Sequence, residues 1–135
     1  GNVLVNAILL QKKYEFPNIN LIFKGFVNND IPIKNYDLCT ILNNLLDNAF
    51  EYSSKNGLQT VKLFIYQENS VLLINVVNEL IMPVDTSTFN KTTKTDYEDH
   101  GYGLTIVKEI VNHYQGVFEY LQDKSQLVAK VQLLL

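Results

Sequence analysis

Residues 37–53 read DLCTILNNLLDNAFEYS. Leu38, Ile41, Leu42, Leu45, Leu46 and Ala49 recur at i, i+3, i+4 and i+7, the spacing of a helix with one buried face. The spacing predicts a helix over 37–52, with Asp37 as its N-cap and Gly57 just past its end. On a 100° wheel, Asn44, Asn48 and Tyr52 form one row at i, i+4 and i+8, along the border of the apolar stripe. Asparagine is a weak helix former, because its amide competes for backbone hydrogen bonds. Two at a core boundary therefore cost stability unless they bind something. Their oxygens suit a hard cation such as Mg²⁺, shared with phosphates and water. The other reading is compositional: the chain has 16 asparagines, and all 11 of its cationic residues are lysine. An AT-rich genome would produce that bias without functional meaning.

Upstream, Val3, Ala7, Leu10 and Tyr14 stand at helical spacing with Leu4 and Ile8 beside them, and Pro17 closes the segment. Residues 19–27 alternate as a strand, with Ile19, Leu21 and Phe23 on one side. Downstream, strands at 58–66 and 71–78 flank a turn at 67–70, which favours an antiparallel pair. Residues 79–101 are polar and aperiodic. A stretch of that length inside a compact domain is usually a functional lid or is disordered. A helix stripe follows at Leu104, Val107, Ile110, Val111 and Tyr114, ended by Gly116. Strands at 117–122 and 126–133 finish the chain. This order implies an α/β (α+β) two-layer sandwich, with a mixed, mostly antiparallel sheet and three helices on one face.

Composition narrows the function. The 135 residues, 47% of them apolar, make one domain with a real core. A net charge of −3 offers neither nucleic acid nor an anionic membrane a basic surface. The lone Cys39 precludes an internal disulfide or a multi-cysteine metal site, and no apolar run is long enough to span a membrane. The start at Gly-Asn-Val, without Met and inside a helix, leads us to expect a piece of a longer protein.

The second chemical signal is His100-Gly101-Tyr102-Gly103-Leu104, where the polar segment meets a helix. Paired glycines let backbone amides approach a ligand, and a helix N-terminus adds free N–H groups and a positive dipole end. That combination suits phosphate. Lys91 and Lys94 in the preceding segment can add charge. No strand directly precedes the glycines, so a dinucleotide-binding fingerprint is excluded, and a P-loop is absent.

Together these pieces resemble the sensor histidine kinases. Asn44 to Ser53 is similar to that family's N-box. Phe89 to Leu104 resembles its ATP lid and second glycine box, and Thr105 to Val111 continues the pattern. The element order is that of the Bergerat (GHKL) fold. The resemblance implies ATP and Mg²⁺ as cofactors. It makes Asn48 the metal ligand, Asn44 a residue facing the phosphates or their waters, and Tyr52 an aromatic stacked on adenine. Lys94, and Lys91 with it, would lie near the phosphates. Gly101, Gly103 and Leu104 would form the backbone cradle, with Tyr102 between the glycines and His100 beside the turn, either touching phosphate or on the lid surface, and the lid would span about 79–101.

One motif departs from the pattern. The first glycine box, Asp-x-Gly-x-Gly, is replaced by Asn78-Glu79-Leu80-Ile81-Met82-Pro83. Asn78 stands where an aspartate would accept from the adenine amino group. An amide oxygen still accepts, without the help of charge. This departure resembles the peptide-sensing quorum kinases of Gram-positive bacteria. Glu51 also stands where many relatives carry lysine. The implied partners are a phosphoacceptor and dimerisation domain upstream and a response regulator, with no nucleic acid and no membrane contact by this domain. The implied location is the cytoplasmic side of a membrane-anchored sensor. Alternatives of the same fold are an anti-sigma-factor-type serine kinase, a nucleotide-dead interaction module, and a gyrase-type ATPase, which the lack of an N-box glutamate disfavours.

Overall fold

The computed structural model describes residues 2–87 and 102–135. Helix α1 spans Val3–Glu15, strand β1 Asn20–Phe26, and helix α2 Asn35–Lys55. Strands β2 (Thr60–Glu68) and β3 (Val71–Glu79) precede helix α3 (Tyr102–His113). Strands β4 (Val117–Asp123) and β5 (Gln126–Leu134) end the chain. The five strands form one sheet in the order β1-β2-β3-β5-β4. β1 runs parallel to β2, and every other pairing is antiparallel. The expected two-layer sandwich with an open mixed sheet is the one observed.

The layers meet through one helix face and one sheet face. α2 buries Leu38, Ile41, Leu42, Leu45, Leu46, Ala49 and Phe50 almost completely. Alternation along the strands sets Leu63 and Ile65 of β2, Ile74 and Val76 of β3, and Val131 and Leu133 of β5 against it. Each fully buried aliphatic side chain is worth about 1.5–3 kcal/mol of transfer free energy, so this seam dominates the stability.

Three local readings are corrected. Asp37 does not cap α2: Lys34 holds that position, without a side-chain cap bond. Asp37 sits in the first turn, where its charge suits the helix dipole, and it accepts a 2.6 Å hydrogen bond from Tyr114 Oη. Tyr114 in turn accepts from the Lys34 N–H at 3.1 Å, so the residue after α3 is tied to the start of α2. Secondly, the stripe Val3, Leu10 and Tyr14 faces outward, and Val5, Ile8 and Leu9 face the core. α1 is apolar on two sides, so spacing alone does not choose between them. Thirdly, β2 runs to Glu68, and the hairpin turn is the pair Asn69-Ser70, with Asn69 at φ 54°.

α1 is also fastened by charge. Lys12 is buried, and its ammonium pairs with Asp47 of α2 and, at 3.7 Å, with Glu15. A buried ammonium without partners would cost several kcal/mol, so these acids are what make its burial tolerable.

Candidate functional site

A cavity of about 280 Å³ opens between α2, the sheet and the start of α3. α2 contributes Leu45, Asn48, Ala49 and Tyr52, and β3 contributes Val76 and Asn78. Leu104 of α3, Tyr120 of β4, and Leu127 and Ala129 of β5 complete an apolar wall. Glu51 and Lys55, one helical turn apart, add charge to the lining. The volume lies at the small end for organic ligand sites and suits a flat ring system with a few placed polar groups.

Asn48 stands at the deep polar edge. Its Nδ2 lies 3.5 Å from Tyr120 Oη, a long contact. Its Oδ1 makes no hydrogen bond among the described residues. Burial pushes the Tyr120 phenol above its usual pKa, and the Asn48 contact works weakly against that. Tyr120 therefore stays a neutral donor or acceptor inside the cavity.

Asn78, the residue before the end of β3, is buried. Its Nδ2 donates to the Glu79 carbonyl at 2.9 Å. The amide thus spends one of its two N–H donors on the neighbouring carbonyl and keeps its oxygen for a ligand, the polarity needed to receive an exocyclic amino group.

Asn44 has a different position from its two row-mates and lies outside this lining. Its Nδ2 donates to the Thr40 carbonyl at 2.8 Å, which turns Oδ1 toward α3. A Cβ added to Gly103 would stand 2.5 Å from that oxygen. A side chain at 103 would therefore have to swing that amide aside and give up its bond to Thr40. The backbone N–H groups of α3's first turn are thereby held beside the Asn48 end of the cavity.

The segment replacing the first glycine box is tethered. Leu80 N–H donates to the Ser125 carbonyl at 2.7 Å, Ile81 N–H to Tyr52 Oη at 3.4 Å, and Val84 N–H to Gln122 Oε1 at 2.9 Å. Tyr52 lines the cavity as its place in the row suggests, and its hydroxyl also holds this segment.

Of the residues singled out in the sequence, Asn48, Tyr52, Asn78 and Leu104 converge on the cavity, and Gly103 and Asn44 meet beside it. Tyr102 begins α3. Lys91, Lys94, His100 and Gly101, with Phe89, lie outside the described residues. Sequence reasoning missed Tyr120 and Lys55. The one available signal for Tyr120 was a polar aromatic at a core-facing position of β4.

Among the described residues no cluster of three or more His, Cys, Asp or Glu forms a metal site. A neutral amide oxygen beside the N-terminus of α3 does fit Mg²⁺, which takes one or two protein oxygens and fills its octahedron with phosphates and water.

An open mixed sheet, helices on one face, an asparagine row over a cavity and a glycine at the next helix start define a GHKL-type nucleotide-binding fold. The chain belongs to the GHKL domain family, whose model matches residues 33–134. No curated protein matches it. The solved catalytic domain of the histidine kinase ThkA is 20% identical, with a TM-score of 0.76 covering 99% of this chain and 93% of that one. The mycobacterial sensor histidine kinase MprB is 16% identical, with a TM-score of 0.71 over 97% of this chain and 91% of that one. Acinetobacter baumannii histidine kinase AdeS is 17% identical, with a TM-score of 0.68 over 97% of this chain and 62% of that one. Identities at this level establish a shared fold.

Proposed function

We propose that this domain is the ATP-binding catalytic domain of a two-component sensor histidine kinase. It would transfer the γ-phosphoryl group of ATP to a histidine on a dimerisation domain upstream, for relay to a response regulator. The observation that carries the reading is the convergence of Asn48, Asn78 and the α3 N-terminus around one cavity. Asn78 Oδ1 receives the adenine amino group, and Leu45, Ala49, Val76 and Leu127 enclose the ring. The first-turn amides of α3 hold the phosphates, with Lys91 and Lys94 supplying charge. Asn48 Oδ1 is the protein ligand for Mg²⁺, which supplies neutralisation of the triphosphate.

In the transfer, an acceptor histidine nitrogen forms a bond to the γ-phosphorus. The bond to the β–γ bridging oxygen breaks, and ADP leaves with those electrons. Such transfer depends on positioning and electrostatics, so the site needs no strong base. Asn44, seated against Gly103, serves this reading by setting the place of the phosphate-binding helix end. The chain's two histidines are not acceptors, so the isolated domain is expected to bind nucleotide without becoming phosphorylated. The missing first glycine box supports a place near the peptide-sensing quorum kinases, whose catalytic domains would work on the cytoplasmic side of an anchored sensor. Among the described residues no helix is long and apolar enough to cross a membrane.

The test is calorimetric binding of ATP with and without Mg²⁺, repeated on Asn48→Ala. The reading expects Mg-dependent binding that the variant loses. No binding even at millimolar nucleotide would make the domain an interaction module.

A further inference from the structure

The asparagines of α2 share a habit that Asn48 breaks. The Nδ2 groups of Asn43, Asn44 and the C-cap Asn56 each bond the residue four positions back. Their partners are Cys39 Sγ at 3.1 Å, the Thr40 carbonyl at 2.8 Å and the Tyr52 carbonyl at 2.8 Å. A short amide on a helix reaches its own preceding turn easily, so such a bond is its default. The Nδ2 of Asn48 instead meets Tyr120 Oη, 72 positions along the chain.

The sheet sets the phenol in place for this contact. Tyr120 lies on the edge strand β4, in one cross-strand row with Ala129, Val76 and Leu63, all of them buried. Ala129, directly beside Tyr120, is the smallest of the four and leaves room for a long side chain to lean toward α2. Phe118 packs edge-on to the Tyr120 ring, with centroids 5.6 Å apart, and steadies it. Asn48, Val76, Tyr120 and Ala129 line the same cavity. A buried phenol must find hydrogen-bond partners where a phenylalanine would need none, and this one brings its oxygen to Asn48.

We propose that Tyr120 is a positioning residue for the metal. Its hydroxyl takes up the Asn48 amide nitrogen that the helix would otherwise claim, and so keeps Oδ1 open to a cation. The inference rests on Asn48 as the Mg²⁺ ligand and adds what orients it. A planar amide carries one oxygen and one NH₂, and only the oxygen suits a cation. Without the phenol oxygen, the amide is left to bond the Asn44 carbonyl as its neighbours bond theirs, and metal binding must first undo that bond. At 3.5 Å the contact is weak in itself, so its value lies in direction. Groups that hold a metal ligand from behind commonly govern metal affinity. The same logic names a substitution that escapes the requirement. A carboxylate at position 48 has two equivalent oxygens and no N–H, so it cannot bond the helix carbonyl and has no wrong orientation.

The test is calorimetric ATP binding in Mg²⁺ and in EDTA, read as the ratio of the two affinities. It compares the wild type, Tyr120→Phe, Asn48→Asp and the double variant. Tyr120→Phe should lower the ratio about three- to tenfold, less than a closer partner would cost, because the contact is long. In the Asn48→Asp background the same change should leave the ratio within about twofold. A phenol that served packing alone would shift both affinities together and leave the ratio where it was. Tyr120→Phe removes one oxygen and keeps the ring, so the fold is expected to persist, which a thermal melt checks. A wild-type ratio near one would overturn the reading of Asn48 and this inference with it. A wild-type ratio well above one that Tyr120→Phe leaves unchanged, or an equal fall in the Asn48→Asp background, would overturn this inference alone.

Discussion

The two ends of the cavity solve the same problem differently. At the Asn48 end, α3 comes so near α2 that a side chain at 103 would meet the Asn44 amide. At the Asn78 end, the backbone of residues 80–84 is held by hydrogen bonds to Tyr52, Gln122 and Ser125. The first end is set by a packing contact between Gly103 and an Asn44 amide that is itself bonded to Thr40. The second is fixed by tethers worth about 1 kcal/mol each, which can be lost one at a time.

That contrast predicts a hierarchy of effects. The largest belongs to Gly103→Ala. Its methyl must displace an Asn44 amide pinned to Thr40, so nucleotide affinity should fall at least tenfold and thermal stability by about 1–3 kcal/mol. Adding Asn44→Ala should recover much of both, because it removes the obstructing oxygen. A double mutant no better than Gly103→Ala would show that the pair is not a packing contact. Next comes Asn78→Ala, which deletes the base-end acceptor and the bond to Glu79. Loss of about 1–2 kcal/mol in ATP binding is expected by calorimetry, with GTP binding changed less. Tyr52→Phe should be smaller, about twofold in affinity, since the contact it removes is a 3.4 Å one. If Tyr52→Phe cost as much as Gly103→Ala, the distinction between the two ends would collapse.

The smallest effect concerns pH. Burial raises the folded-state pKa of Tyr120, and burial with the Asp37 contact raises that of Tyr114. Both are neutral below about pH 10 in either state, so their contribution is intact there. It is lost as pH climbs through the raised folded values, because the unfolded phenols ionise first. Tyr120→Phe should flatten part of the decline in denaturant midpoint above about pH 10.

Much of this was readable in the residue order, and the exceptions have physical causes. The buried face of α2 is wide and unbroken from Leu38 to Ala49, so its period declares both the helix and the side it hides. The strands near residues 60–79 and 117–134 alternate cleanly, so bounds shifted by only a few residues. α1 was ambiguous because Val3, Leu10 and Tyr14 are as apolar as Val5, Ile8 and Leu9, and only contact with α2 separates them. Asp37 looked like a cap because helix ends are read from residue type, while its partner, Tyr114, is 77 positions away. The site was half legible for the same reason. Asn48 and Tyr52 share one helix and show their spacing. Tyr120 and the Asn44–Gly103 contact exist only after β4 and α3 fold back onto α2.

The central claim is that Asn48 holds Mg²⁺ for a nucleotide seated between α2 and the start of α3. Its most direct measurement is ATP affinity of the wild-type chain and of Asn48→Ala, each with Mg²⁺ and with EDTA. The account predicts that Mg²⁺ tightens binding to the wild type at least tenfold and that the variant shows little difference between the two conditions. Equal Mg²⁺ dependence in both proteins would contradict it.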